Sequence, residues 1–76
     1  MKRNAAIGMN GVAAEIAIAK KEAGEGAYLW AHDSGDVILW ASEYDAENDD
    51  GSNAVGRWTV DADTLAALGS LIDEIV

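Results

Sequence analysis

A turn signal at residues 33–36 is the feature that most constrains the fold. The tetrapeptide Asp-Ser-Gly-Asp is rich in residues that favour tight turns, and apolar, aromatic-rich segments flank it on both sides. The sequence therefore predicts a β-hairpin with strands over residues 27–32 and 37–44, joined by a two-residue loop at Ser34 and Gly35. This register makes three cross-strand pairs: His32 with Val37, Ala31 with Ile38, and Leu29 with Trp40.

The predicted register also divides the hairpin side chains between two faces. One face carries Leu29, Ala31, Ile38 and Trp40, and the other carries Tyr28, Trp30, His32, Val37 and Leu39. If the helices cover only the Trp40 face, an apolar patch is left exposed, made of Tyr28, Trp30, Val37 and Leu39. Exposed patches with Trp and Tyr usually mark an interface, in this case a homodimer or a partner site centred on Tyr28 and Trp30. The alternative is that one helix covers each face and seals both.

Two further elements follow the hairpin. Residues 54–60 predict a third strand, in which Trp58 and Val60 join one of the two sheet faces. A C-terminal helix begins after an N-cap at Asp61 or Asp63. Its apolar positions recur at a spacing of three and four, at Leu65, Leu68, Leu71 or Ile72, and Ile75.

The N-terminal third fits two structures. Residues 12–23 are rich in alanine, follow a possible N-cap at Asn10 and end before Gly24, which predicts a helix. However, Val12, Ala14, Ile16 and Ile18 alternate as in a strand, and Asn10-Gly11 is a strong hairpin dipeptide. We favour the helix because alanine is poor in strands.

Together these elements predict a single α+β domain over residues 1–76. A three-stranded antiparallel β-meander is packed by an N-terminal and a C-terminal helix, in the order α-β-β-β-α. The alternative is a five-stranded antiparallel sheet with one C-terminal helix. A chain of 76 residues without cysteine has a thin core and no disulfide to stabilise it.

The net charge of −9 is unevenly distributed along the chain. Residues 1–21 hold four cations and one carboxylate, which gives +3, whereas residues 22–76 hold thirteen carboxylates and one cation, which gives −12. Such a field repels nucleic acid and anionic membranes and attracts basic protein surfaces. No signal-like leader or membrane-length apolar run is visible, so we expect a cytoplasmic protein.

Catalytic, cofactor and metal sites find no support in the residue pattern. His32 is the only histidine, there is no cysteine, and Ser34 is explained by the turn. A calcium loop starting at Asp45 would place Asp50 at position 6 and Gly56 at position 12, where an EF-hand requires glycine and glutamate. The sequence therefore predicts a binding protein rather than an enzyme, with no cofactor and no specific metal site.

An acidic segment is the candidate binding site. On an extended chain, residues two apart face the same way about 6.7 Å from each other, so alternate carboxylates form a regular row. This row would comprise Glu43, Asp45, Glu47 and Asp49, with Asp50 beside it. Asp33 and Asp36 at the hairpin tip form a second cluster. The alternative is a flexible, solvated acidic loop over residues 45–53.

In size, acidity and lack of catalytic residues, the chain resembles small phage-encoded inhibitors. The segments DVILWASE (36–43), GRWTV (56–60) and IDEIV (72–76) are similar to those of small phage and prophage proteins. The family it most resembles is the acidic, DNA-mimicking anti-CRISPR proteins. That resemblance implies binding to the basic DNA-recruiting groove of a CRISPR effector complex and exclusion of target DNA. The alternatives are a structural or accessory module, and an antitoxin or immunity protein against a basic toxin.

Overall fold

The computed structural model describes residues 4–48 and 54–76 of the chain, which form an α+β fold. Its elements in chain order are α1 (Asn4–Ala23), β1 (Tyr28–Ala31), β2 (Asp36–Trp40), α2 (Glu43–Asn48), β3 (Gly56–Thr59), α3 (Ala62–Ala67) and β4 (Glu74–Ile75). The four strands make one mixed sheet in the order β3-β2-β1-β4, in which only β4 runs parallel to its neighbour. The predicted antiparallel meander and flanking helices are present, together with a fourth strand and a third helix.

The N-terminal helix is confirmed, and the five-stranded alternative is wrong. α1 runs for 20 residues through Asn10-Gly11 without a turn. Ile16 is fully buried, and Ala13, Ala19 and Ala23 pack beside it, so the buried stripe has helical spacing. The alternation of apolar residues from Val12 to Ile18, which suggested a strand, does not correspond to alternating burial, because Ile18 is 57% exposed.

The hairpin forms where predicted, but its register differs by one residue. The loop has three residues, because the His32 N–H donates to the Asp36 carbonyl at 2.8 Å and the Gly35 N–H donates to the His32 carbonyl at 2.9 Å. Gly35 has a φ of 108°, and a Cβ there would collide with the Val60 carbonyl oxygen, so this loop requires glycine. Ala31 consequently lies opposite Val37, and Leu29 lies opposite Leu39.

The one-residue difference exchanges the faces of every β2 side chain. The inner face of the sheet carries Leu29, Ala31, Val37, Leu39, Gly56 and Trp58. Ile16 of α1 and Leu68 after α3 complete the core on this face, and both are fully buried. The predicted exposure of Val37 and Leu39 is therefore wrong: both are at 0% exposure.

The outer face carries Tyr28, Trp30, Asp36, Ile38, Trp40, Arg57, Thr59 and Glu74. Trp30 and Trp40 share this face, although the predicted register placed them on opposite sides. Among these residues only Trp40 is buried, at 5% exposure. The sequence predicted either that the helices cover only the face containing Trp40 or that one helix covers each face. Neither is observed in full, because Ile16 of α1 and Leu68 after α3 pack together on the inner face, which does not contain Trp40.

The C-terminal helix is shorter than its apolar spacing predicted. Asp61 is its N-cap and accepts a hydrogen bond from the Thr64 N–H at 2.8 Å, but the helix ends at Ala67. Beyond it the chain turns and pairs with the free edge of β1: the Asp73 N–H donates to the Leu29 carbonyl at 2.8 Å, and the Val76 N–H donates to the Ala31 carbonyl at 2.9 Å. The backbone bonds offered by a sheet edge outweigh the helical pattern that included Ile75.

Candidate protein-interaction surface

The acidic segment after β2 begins as a short helix rather than an extended row. Ser42 precedes α2, and its Oγ accepts from the Asp45 N–H at 3.1 Å and donates to the Asp45 carboxylate at 3.2 Å. The bond from the Asp45 N–H to the Ser42 hydroxyl caps the N-terminus of α2, and Glu43 and Asp45 in the first turn suit the positive end of the helix dipole. The prediction of an extended or loop conformation is therefore wrong for Glu43–Asn48.

Helical geometry regroups the predicted carboxylates. Residues two apart diverge around a helix, whereas residues four apart share a face, so Glu43 and Glu47 are neighbours and Asp45 turns inward. Asp45 is half-buried, while Glu43 and Glu47 are exposed. Tyr44 lies on the same outward side and is 73% exposed. Asp49 and Asp50 lie outside the described residues.

We call Glu43, Tyr44 and Glu47 the α2 surface. It combines two carboxylates with an exposed aromatic ring, and Asn48 fixes the backbone beneath that ring by donating from Nδ2 to the Tyr44 carbonyl at 2.9 Å. Carboxylates accept charge-assisted hydrogen bonds from arginine and lysine, and the face of an aromatic ring attracts the same cations. The α2 surface is chemically suited to a basic protein surface.

A second group of carboxylates surrounds the Tyr28 hydroxyl on the outer face. Tyr28 donates to Oε1 of Glu74 at 2.8 Å. That hydrogen bond is the main cause that raises the pKa of Tyr28 to about 12, with further contributions from partial desolvation and from the charges of Glu74, Glu43 and Asp73. The charges of Glu43 in α2 and Glu74 in β4 therefore both act on this hydroxyl, and that of Glu74 acts more strongly.

Asp73 belongs to the same end of the molecule but serves the fold. Its Oδ2 accepts from the Leu29 N–H at 2.8 Å and lies 2.9 Å from Nζ of Lys20, which also donates to the Leu71 carbonyl. Burial alone would raise the pKa of Asp73, but the Leu29 N–H and the Lys20 ammonium together hold it below its ordinary value. Asp73 therefore ties α1 and the C-terminal segment to the edge of β1.

The hairpin-tip cluster is separate from the α2 surface. Asp33 and Asp36 are both exposed, and the Asp33 N–H donates to the Val76 carbonyl at 3.0 Å. Four residues of strand separate this tip from the Tyr28–Trp40 end, a distance of about 14 Å. The structure therefore does not unite the two predicted acidic clusters into one site.

The aromatic part of the predicted site lies on the outer face. Tyr28 and Trp30 are both half-buried, and the Trp30 and His32 rings lie 6.3 Å apart at 40°. Beside Trp30, the strands leave a shallow depression of about 290 Å³ that Ile38, Arg57 and Thr59 also line. Tyr28 and Trp30 are thus partly accessible, whereas Val37 and Leu39, which the sequence predicted to accompany them, are buried.

Sequence reasoning missed two residues of this region, Tyr44 and Glu74. Ser42 and Asp45 stand three apart in the manner of a capping box, a signal that would have revealed α2 and therefore the outward position of Tyr44. No comparable signal marks Glu74, which reaches Tyr28 only because β4 adds to the sheet.

Searches of protein families, curated proteins and solved structures found no match for this chain. In residues 4–48 and 54–76, no helix has the length and apolarity to cross a membrane. The same parts of the chain contain no group of three or more metal-ligating side chains. Function is therefore argued from the chemistry of the surface.

Proposed function

We propose that this chain is a binding protein that uses the α2 surface to occupy a basic, nucleic-acid-binding site on another protein. The observation that carries the proposal is the outward grouping of Glu43 and Glu47 with the 73% exposed ring of Tyr44. A basic groove offers lysine and arginine side chains, which are the groups that this combination attracts.

The charge distribution supports the same class of partner. From residue 22 onward the chain carries −12, and Lys20 on α1 is already paired with Asp73. Glu74, which accepts a hydrogen bond from the Tyr28 hydroxyl, adds a further negative charge at the edge of the sheet. Electrostatic attraction of this kind accelerates association with a basic partner and weakens as salt is added.

The specific form of the proposal comes from the resemblance to acidic anti-CRISPR proteins. In that form the partner is the DNA-recruiting groove of a CRISPR effector complex, and the chain inhibits by competing with target DNA. Asp49 and Asp50 follow α2 in the sequence and would add negative charge to this contact, whereas Asp33 and Asp36, at the other end of the hairpin, would lie outside it. A basic toxin neutralised by the chain is the main alternative partner.

Paired charge reversals test which acidic region binds. The Glu43→Lys/Glu47→Lys variant and the Asp33→Lys/Asp36→Lys variant change the net charge by the same amount at opposite ends of the hairpin. Each variant and the wild type are immobilised and exposed to host lysate, and the retained proteins are identified by mass spectrometry. We expect the partner to be retained by the wild type and by the hairpin-tip variant, and lost from the α2 variant.

Tyr44→Ala separates the aromatic contribution from charge. This variant leaves the net charge unchanged, and we expect affinity for the retained partner to fall about tenfold, a typical loss for an aromatic interface anchor. Circular dichroism of each variant verifies that the fold is intact. Equal retention by the two charge-reversal variants, both folded, would mean that the α2 surface is not the binding site.

A further inference from the structure

An open, mainly apolar groove lies between α3 and the C-terminal segment, with a volume of about 430 Å³. Its lining residues include Ala62, Leu65 and Ala66 on the helix side, and Ile72, Asp73 and Ile75 on the other side. Ile75 pairs with Ala31, so its side chain lies on the inner-face side of β4, which is an edge strand of the sheet. Ile75 is nevertheless 58% exposed, so the core does not extend into this groove.

Both walls of the groove are fixed by the fold. On the helix side, Ala62 and Ala66 stand four residues apart and therefore share one face of α3, with the half-buried Leu65 beside them. On the other side, the Ile72 N–H donates to the Leu68 carbonyl at 3.1 Å, and pairing with β1 holds the strand that carries Ile75. The groove is therefore preformed, as ligand-binding sites usually are.

The surroundings of the groove are acidic. Residues 61–76 contain four carboxylates and neither lysine nor arginine. Asp63 is exposed and stands three residues before Ala66, so it lies on the groove side of α3. Asp73 is part of the wall, and its charge is offset by Lys20, whose Nζ lies 2.9 Å from Oδ2. An apolar groove with an acidic border is complementary to an apolar side chain that has cations next to it.

We propose that this groove binds one bulky apolar side chain of a partner protein, on a segment that carries lysine or arginine on both sides of that residue. The apolar side chain contacts Leu65, Ala66 and Ile72, and a neighbouring cation lies near Asp63. The volume of the groove falls in the range of about 300–1,000 Å³ that is typical of ligand pockets. A second copy of this chain is a poor occupant, because the net charge of −9 on each copy opposes their association.

This inference does not rest on the proposed function, because the groove and the α2 surface are separate. The α2 helix contacts β1 and β2, whereas the groove lies between α3 and β4 at the edge of the sheet. Substitutions in one surface leave the residues of the other unchanged. The two proposals therefore fail separately.

A peptide titration tests the occupant of the groove. The probe is the peptide acetyl-Lys-Lys-Leu-Lys-Lys-amide, added to isotopically labelled protein while the backbone amide chemical shifts are recorded. We expect saturable shifts at Leu65, Ala66 and Gly69, with a dissociation constant on the order of 0.1–1 mM, since one buried side chain supports only a weak complex.

Two altered peptides separate the apolar contact from the charge. Replacing the central leucine with serine removes the apolar side chain, and we expect binding at the groove to weaken at least about tenfold. Replacing the four lysines with glutamate reverses the charge, and we expect no shifts because the acidic border repels this peptide. Shifts at the α2 surface that do not depend on the central residue are expected from its charge, and Glu43→Lys/Glu47→Lys should abolish those shifts and leave the groove shifts in place.

A groove-filling substitution and its matched control test the site itself. Ala66→Phe fills the groove with a side chain of the protein, so we expect the affinity for the leucine peptide to fall at least about tenfold. Ala67→Phe makes the same change at an exposed neighbour that does not line the groove, and should bind within about twofold of the wild type. Circular dichroism verifies each fold, and Ala62→Phe replaces Ala66→Phe if that variant unfolds.

Three results would overturn the proposal. The first is the absence of saturable shifts at the groove with the leucine peptide. The second is equal binding of the leucine and serine peptides, or unchanged binding by a folded groove-filling variant. The third is a set of groove shifts that depend on protein concentration without any peptide, which would identify a second copy of the chain as the occupant.

Discussion

The two faces of this sheet are built from the same strands but have different roles. On the inner face, Leu29, Val37 and Leu39 are at 0% exposure beneath Ile16 and Leu68. On the outer face, the alternating positions hold aromatic and charged side chains, and apart from Trp40 they are half-buried or exposed. In the part of the chain that the structure describes, α1 and the segment after α3 cover the inner face, whereas the outer face is only partly covered.

The comparison teaches that apolar content alone does not identify a core. Trp30 and Ile38 are as hydrophobic as the residues of the inner face, yet both are only half-buried, whereas Leu29 is fully buried in the cluster that contains Ile16 of α1. The two faces differ in their charged residues. On the outer face, Arg57 and Glu74 lie on either side of Ile38 and Trp30, and α2 adds Glu43 and Glu47 at one end. Such a pattern is typical of interfaces, with apolar centres and polar rims.

The largest expected effect is a difference in unfolding free energy between a substitution on the inner face and one on the outer face. Leu39→Ala removes a fully buried side chain and should lower the free energy of unfolding by about 3 kcal/mol. Ile38→Ala, one residue away on the outer face, should cost less than about 1 kcal/mol because its side chain is half-exposed. Urea unfolding measures the loss in each variant. Equal losses would mean that the outer face is also core.

A smaller effect concerns the bond that closes the sheet edge. Asp73→Ala leaves the Leu29 N–H without its acceptor and removes the ion pair with Lys20, and should cost about 1–2 kcal/mol. The ion-pair share is limited by screening, because the Asp73 side chain is 36% exposed.

Because the folded state lowers the pKa of Asp73, its stabilising effect is present above the ordinary carboxyl value of 3.8 and is lost as the pH falls below the folded-state value. The difference in unfolding free energy between wild type and Asp73→Ala should therefore shrink in acid. A difference that stays constant from pH 7 to about pH 2 would contradict this role for Asp73.

The smallest effect is spectroscopic and tests the negative region on the outer face. On a Tyr44→Phe background, ionisation of Tyr28 is followed alone by absorbance at alkaline pH. Its pKa of about 12 should fall toward 10 in the Glu74→Gln variant, since the hydrogen bond to the Glu74 carboxylate is the main cause of the shift. An unchanged titration midpoint would show that Glu74 does not organise this region.

How far the sequence predicted this structure depends on the range of the interactions involved. The α1 helix, the hairpin and the Asp61 N-cap follow from local composition and spacing, and all three are observed. The hairpin register was wrong because Asp33-Ser34-Gly35 forms a three-residue loop, a choice that depends on the close approach of Gly35 to Val60. The one extra loop residue places Val37 on the inner face and Trp40 on the outer face, the reverse of the prediction.

The candidate site was predicted by composition but not by geometry. The acidic residues 43–47 were identified, yet an extended row was expected where a capped helix forms, so the grouping of Glu43 with Glu47 was missed. Glu74 was unpredictable because parallel pairing of β4 with β1 joins residues more than 40 positions apart. Local patterns do not encode such a contact.

Competition with nucleic acid is the most direct test of the central claim that the α2 surface occupies a basic nucleic-acid site. A panel of CRISPR effector complexes is loaded with fluorescently labelled target DNA, and displacement is measured with wild type, Glu43→Lys/Glu47→Lys and Asp33→Lys/Asp36→Lys. The account predicts that the wild type displaces DNA from at least one effector, that the α2 variant is at least tenfold weaker, and that the hairpin-tip variant stays within about threefold. Displacement by all three proteins alike, or no displacement by the wild type from any effector, would contradict it.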